Sequence, residues 1–179
     1  SKLESGDVEL HITDTPIQEI FRQLQEEFEG PAQVKGLQLH FDARTEVAHS
    51  DRVLLTRIIR ILVSNAIRYT KQGAVNIRCR REAEGLVITV QDSGIGIAPD
   101  HLARIFDEFY RIDHDPEERN GGLGLGLTLV ERSVKLLGAR VEVESELGRG
   151  SRFSIVVPSG SLGDSPSGGP DGTEQAGRH

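Results

Sequence analysis

The segment from Ser50 to Gln91 constrains the fold most. Leu54, Leu55, Ile58, Ile59, Leu62 and Ala66 recur at helical spacing and form one apolar stripe. Ser50 or Asp51 can cap its start, and it ends near Tyr69. Two stretches of alternating apolar and polar residues follow at once, 74–80 and 86–91, joined as a hairpin at Glu84-Gly85. A helix with one greasy side next to alternating strands must lay that side on one face of a sheet. The other sheet face is then left to water.

The rest of the chain fits this arrangement. Val8 to Ile12 reads as a first strand, and Ile17, Ile20, Phe21, Leu24 and Phe28 mark a helix that ends near Gly30-Pro31. Leu37 to Phe41 alternates as a strand, and a short helix is expected over 99–106. The polar stretch from Asp113 to Gly122 has the composition of a mobile loop. Leu127, Val130, Val134 and Leu137 then mark a helix stopped by Gly138, and strands 140–145 and 152–157 flank the turn Leu147-Gly148-Arg149-Gly150. Three longer helices, a short one and six or seven strands do not alternate strictly. A mixed, largely antiparallel sheet with helices on one face is therefore expected, a two-layer α/β sandwich. Residues 8–158 form the expected domain, and the Gly-, Ser- and Pro-rich 159–179 reads as a disordered tail or linker.

Composition excludes several functions. No stretch approaches the roughly 20 apolar residues of a membrane span, and no signal pattern opens the chain, so a cytoplasmic setting without direct membrane contact is expected, either of a cytosolic protein or of the cytoplasmic part of a larger membrane-bound one. The formal charge of -7 argues against nucleic acid as a partner. The single cysteine, Cys79, alternates in phase with Val75 and Ile77, which makes it a buried strand thiol. His40, His49, His101, His114 and His179 show no metal-ligand spacing.

Four segments carry chemistry. Asn65, Arg68 and Tyr69 stand at i, i+3 and i+4, on a helix face that excludes the Leu54/Ile58/Leu62 stripe. An amide oxygen can ligate a hard cation, a guanidinium can clamp phosphate, and a phenol can stack on a base. Solvent exposure alone would explain the same pattern as well. Asp92 ends an apolar strand and precedes Gly94 and Gly96, so a carboxylate and a closely approaching backbone could meet the exocyclic amine of adenine. Taken by itself, Asp with Gly also describes an ordinary turn. Phe106 and Phe109 form an aromatic pair. Gly122-Leu123-Gly124-Leu125-Gly126 sits where the polar loop becomes a helix, so its amides can face phosphate oxygens. No Gly-Lys-Ser/Thr ending is present, which excludes a P-loop. The loop runs Gly94-Ile95-Gly96-Ile97-Ala98-Pro99, with Pro99 where a dinucleotide-binding helix would already run.

In order and spacing these segments resemble the catalytic and ATP-binding domain of two-component sensor histidine kinases, a branch of the GHKL superfamily that includes gyrase and mismatch-repair ATPases. Asn65 to Thr70 resembles the N box, Asp92 to Gly96 the first glycine box, Phe106 to Phe109 the F box, and Gly122 to Leu127 the second glycine box. Gly148 to Phe153, with Ser151, resembles the closing turn and strand. The resemblance implies a Bergerat-type fold that binds ATP and Mg. It implies Asp92 at the adenine, Tyr69 stacked near it, Asn65 at the Mg, Arg68 and the amides of Gly124 to Gly126 at the phosphates, and a lid over 107–121. It also implies partners: a histidine-bearing dimerisation domain of the same kinase, and a response-regulator receiver domain. The chain would be a piece of a larger kinase, a monomer when isolated and unable to phosphorylate itself.

Two positions depart from the family pattern. Where members usually carry Asn or another polar residue four places before the metal Asn, this chain has Ile61, and hydrolytic relatives carry there a Glu that activates water. Leu123 stands where many members have Thr. The segment His11 to Pro16 resembles a phosphoacceptor box only in its ends. It lacks the acidic residue after His and sits in a strand pattern. A hydrolytic ATPase and a degenerate interaction module of the same fold remain the rival readings.

Overall fold

The computed structural model describes residues 9–110 and 126–158. The elements run β1 (Ile12–Pro16), α1 (Ile17–Val34), β2 (Gln38–Asp42), β3 (Val47–Asp51), α2 (Arg52–Arg68), β4 (Ala74–Glu82), β5 (Gly85–Asp92), α3 (Pro99–Leu102), α4 (Gly126–Leu136), β6 (Arg140–Glu146) and β7 (Gly150–Pro158). Five strands make the main sheet in the order β2-β4-β5-β7-β6. The β2–β4 pair is parallel, and the other three pairs are antiparallel. The sheet is therefore mixed and largely antiparallel.

The apolar stripe of α2 drives the packing. Leu55, Ile58, Ile59, Leu62 and Val63 are buried with Ile77, Ile88, Val90, Phe153 and Ile155 from the inner sheet face and Ile17, Ile20 and Leu24 from α1. α4 adds Val130 and Val134 to this core. Each fully buried Leu or Ile contributes about 1.5–3 kcal/mol, so this cluster is the main favourable term holding the helices to the sheet. Cys79 sits inside it, and burial, with Glu46 and Asp42 nearby, pushes its thiol up to about 12. The outer face carries Arg78, Arg80, Gln91, Arg152, Glu142 and Glu144, all exposed. On the β6 edge, exposed Glu142, Glu144 and Glu146 alternate with half-buried Val141, Val143 and Ser145.

Three expectations change. The first strand is Ile12–Pro16 and not 8–12. It pairs with β3, an element the alternation did not reveal, in a separate two-stranded sheet. The Asp51 carboxylate fixes this register: Oδ2 accepts from His11 N at 2.9 Å, while Oδ1 caps α2 by accepting from Leu54 N at 2.9 Å. Pro16 is tolerated because it is the last residue of a strand paired on one side only. α1 continues through Gly30-Pro31 to Val34, since Ala32 is buried in the core and anchors the last turn. The short helix spans only Pro99–Leu102, and hydrogen-bonded turns replace it as far as Tyr110. The expected mobile loop and the 159–179 tail lie outside the described residues, apart from the loop's flanks.

Candidate functional site

The site is built at the C-terminal end of α2. A helix leaves its last four carbonyls without intrahelical partners, and here every one is met. Tyr69 N donates to Asn65 O at 3.0 Å, and Thr70 Oγ1 donates to Ala66 O at 2.7 Å. Lys35 Nζ donates to Ile67 O at 2.7 Å and to Arg68 O at 3.0 Å. Asn65 and Arg68 are half-buried in the last turn of the helix, and Tyr69 is half-buried at the C-cap. The expected shared face is thus held on a rigid helix end. Thr70 and Lys35 are the supports that sequence reasoning missed.

β5 ends at Asp92, and the chain then turns back past α2. Asp92 Oδ1 accepts from Gly94 N at 2.9 Å and from Ser151 N at 3.2 Å. Its Oδ2 accepts from no group among the described residues. Burial pushes the Asp92 carboxyl above the usual value, and the two backbone donors partly offset this. One oxygen is therefore locked, and the other has no partner among the described residues.

Gly94 is required by closeness: a Cβ there would stand 2.4 Å from Tyr69 O and 2.9 Å from Asp92 Oδ1. Gly96, at φ 75°, would put a Cβ 2.1 Å from Glu146 O. Ile95 joins both neighbours, its N donating to Tyr69 O at 3.3 Å and its O accepting from Gly148 N at 2.8 Å. Ser145 Oγ accepts from Ile97 N at 2.7 Å and lies 2.7 Å from Ser151 Oγ. Asp92, Gly94, Gly96 and Ser151 thus form one bonded unit against the end of α2. Ser145 is a further residue that sequence reasoning missed, because its bond spans 48 positions.

Phe106 is half-buried and packs on the core, and its O accepts from Thr128 Oγ1 at 3.0 Å. This ties the F-box segment to α4. Phe109 is 65 % exposed. Beside it, Tyr110 OH is hydrogen-bonded to His101 Nδ1, and the Arg104 guanidinium lies 4.6 Å from the Tyr110 ring centre. Gly126 opens α4, and a Cβ there would be 3.3 Å from Ile61 Cγ2. Ile61 therefore faces the start of α4, one turn before Asn65. Gly122, Leu123, Gly124 and Leu125 lie outside the described residues, as does most of the expected lid.

The donor set bears on a metal. Among the described residues no group of three or more His, Cys, Asp or Glu could hold one. Ile61 offers no ligand. The Asn65 amide oxygen remains, which suits Mg: that ion commonly takes one or two protein ligands and completes its octahedron with phosphates and water. No helix among the described residues is long and apolar enough to cross a membrane.

Comparison with known proteins agrees with this fold. The family described as histidine kinase-, DNA gyrase B-, and HSP90-like ATPase matches residues 50–161. The chain is 32% identical over 167 residues to the circadian input-output histidine kinase CikA of Synechococcus elongatus, covering 90% of this chain and 22% of that protein. It is 36% identical over 132 residues to the sensor histidine kinase CusS of Escherichia coli K12, covering 73% of this chain and 27% of that one. The chain thus spans roughly a quarter of these curated relatives. Among solved structures, full-length ShkA in complex with AMPPNP superposes with a TM-score of 0.76 at 30% identity, over 88% of this chain and 33% of that one. The catalytic domain of the histidine kinase ThkA gives a TM-score of 0.72 at 22% identity, over 83% of this chain and 98% of that domain.

Proposed function

The chain belongs to the histidine kinase-, DNA gyrase B- and HSP90-like ATPase family, and from that premise we propose that residues 8–158 are the ATP-binding catalytic domain of a sensor histidine kinase. In this reading the domain binds ATP and hands its terminal phosphate to a histidine on a dimerisation domain of the same kinase. An aspartate on a response-regulator receiver domain would then take it, in a cytoplasmic setting. The observation that carries the reading is the Asp92 carboxylate, with one oxygen locked by two backbone amides and the other without a partner among the described residues. That oxygen is suited to accept from the exocyclic amine of adenine, and a guanine would bring a carbonyl to the same place.

The remaining roles belong to the same proposal and are supported by the resemblance of the motifs to the family. Tyr69 borders the Asp92 loop and is placed to stack on the base, with Gly94 and Gly96 letting the backbone approach it. Arg68 and the amides of Gly124 to Gly126 are assigned to the phosphates, with Gly122, Leu123 and Leu125 in the same nucleotide-binding segment contributing backbone only. Phe106 anchors the root of the lid, and Ser151 holds Asp92 in place. Asn65 would hold Mg, which when bound neutralises charge on the phosphates. The chain's own contribution is positioning and charge stabilisation, as is general for phosphoryl transfer.

Hydrolysis is disfavoured by the helix itself. α2 carries no Asp or Glu from Arg52 to Arg68, and the place one turn before Asn65 is the apolar Ile61. Water then lacks a general base on this side of the site, and the phosphate waits for an external nucleophile. Calorimetric titration of the chain with a non-hydrolysable ATP analogue tests the reading, with and without Mg and with a GTP analogue as control. Saturable, Mg-enhanced, adenine-selective binding is expected. Absence of binding would overturn it in favour of an interaction module.

A further inference from the structure

We propose that Lys35, which stands outside the nucleotide site, is a positioning residue for it: its ammonium closes the C-terminus of α2 and so sets the wall against which adenine is read. This rests on the reading of the site given above. Of the last four carbonyls of α2, the helix end satisfies two through Tyr69 N and Thr70 Oγ1. Among the described residues Lys35 meets the other two, at 2.7 and 3.0 Å, from 32 and 33 positions away in sequence. These carbonyls belong to Ile67 and Arg68, so the next peptide group carries Tyr69 O. That oxygen accepts from Ile95 N and lies where a Gly94 Cβ would collide. A shift of the helix end therefore moves the Asp92 loop.

The lysine is itself held. It follows the last turn of α1, where Lys35 N donates to Ala32 O at 3.2 Å and Gly36 N to Gln33 O at 3.0 Å, with Gly36 at φ 71°. Gln38 N then donates to Gly73 O at 3.0 Å, and β2 runs parallel to β4 from Ala74 on. Ala74 O accepts from Ser93 N at 3.2 Å, the residue after Asp92. Both ends of the Lys35 side chain are thus tied to the frame that carries Asp92, one through α2 and one through β4. A cation at this place also complements the negative end of the helix dipole. Without it, two carbonyls must find water, and the end of α2 is free to fray.

The experiment compares the chain with its Lys35→Met and Lys35→Arg variants. Two quantities are read in each: affinity for a non-hydrolysable ATP analogue, and hydrogen exchange at Ile95 N–H without nucleotide. Methionine keeps the stem and removes the donor, and arginine keeps a cation that can reach both carbonyls. Lys35→Met should weaken affinity about three- to thirtyfold, the range found for couplings through packed networks, and should speed Ile95 exchange. Lys35→Arg should restore both. If Lys35→Met does not fold, Lys35→Gln replaces it; its uncharged amide stops one atom short, and an intermediate loss is expected. Unchanged affinity with a lower melting temperature would overturn the proposal, since a purely structural lysine predicts that result. Failure of arginine to recover either quantity would also overturn it. If the unmodified chain binds no nucleotide, the reading of the site fails, while the exchange comparison still decides whether Lys35 governs the loop.

Discussion

Replacing Asp92 by Asn isolates one atom of the site. Oδ1 accepts from Gly94 N and Ser151 N, and an asparagine oxygen can keep both bonds. The amide nitrogen must then occupy the place of Oδ2 and present hydrogens where adenine presents its own. The loss is at least one charge-assisted hydrogen bond, about 1.5–3 kcal/mol, which corresponds to roughly ten- to 150-fold weaker ATP binding. Stability should move the other way. Because burial raises the folded-state pKa of Asp92, the folded protein binds its proton more readily than the unfolded chain does. Stability therefore falls as pH rises from the usual 3.8 through the raised value, and the ionised carboxylate is a net cost at neutral pH. Asn cannot ionise, so Asp92→Asn should be at least as stable as the parent at pH 7, with the gap closing as pH falls back through that window. Titration calorimetry gives the first quantity, and denaturant melts at several pH values give the second. A folded variant with unchanged affinity would refute the adenine assignment. A variant clearly less stable than the parent at pH 7 would refute the account of Oδ1.

Ile61→Asn adds a polar group one turn before Asn65 and should raise the ratio of ATP affinity with Mg to that without. An unchanged ratio in paired titrations would mean that this position lies away from the metal. Gly150→Ala should destabilise the fold severely. At φ 114° an L residue is strained by about 1–3 kcal/mol, and a Cβ would stand 2.0 Å from Asp92 O. A thermal melt within a degree of the parent would contradict this.

The legible parts of the fold are those whose pattern is local. α2 declares itself through six apolar residues on one stripe, and β4 and β5 through alternation across a short turn, because burial on one face leaves a period in the chain. β3 does not declare itself. Ala48, His49 and Ser50 carry no strand preference, and their conformation comes from pairing with β1 across some 35 residues. The site divides along the same line. Asn65, Asp92 and the glycines stand in motifs whose chemistry can be read from residue types. The reason Gly94 and Gly96 must be glycines lies in Tyr69 O and Glu146 O, neighbours that only the folded chain supplies. Lys35 and Ser145 act through single long-range bonds to backbone, and such contacts leave no periodic trace in sequence.

The alternating glutamates of β6 bear on how the chain behaves when crowded. A sheet edge offers a row of unpaired backbone groups, and another copy of the same edge is the most available template for it. Antiparallel joining of two β6 strands would set Glu142, Glu144 and Glu146 of one copy among those of the other, and the ion pairs they make with Arg140, Arg152 and Arg149 would have to be rearranged or desolvated as each rung is added. The half-buried valines between them supply apolar surface that would otherwise favour fibrous stacking. This row of ion-paired charges thus guards a vulnerable margin of the sheet against templated aggregation.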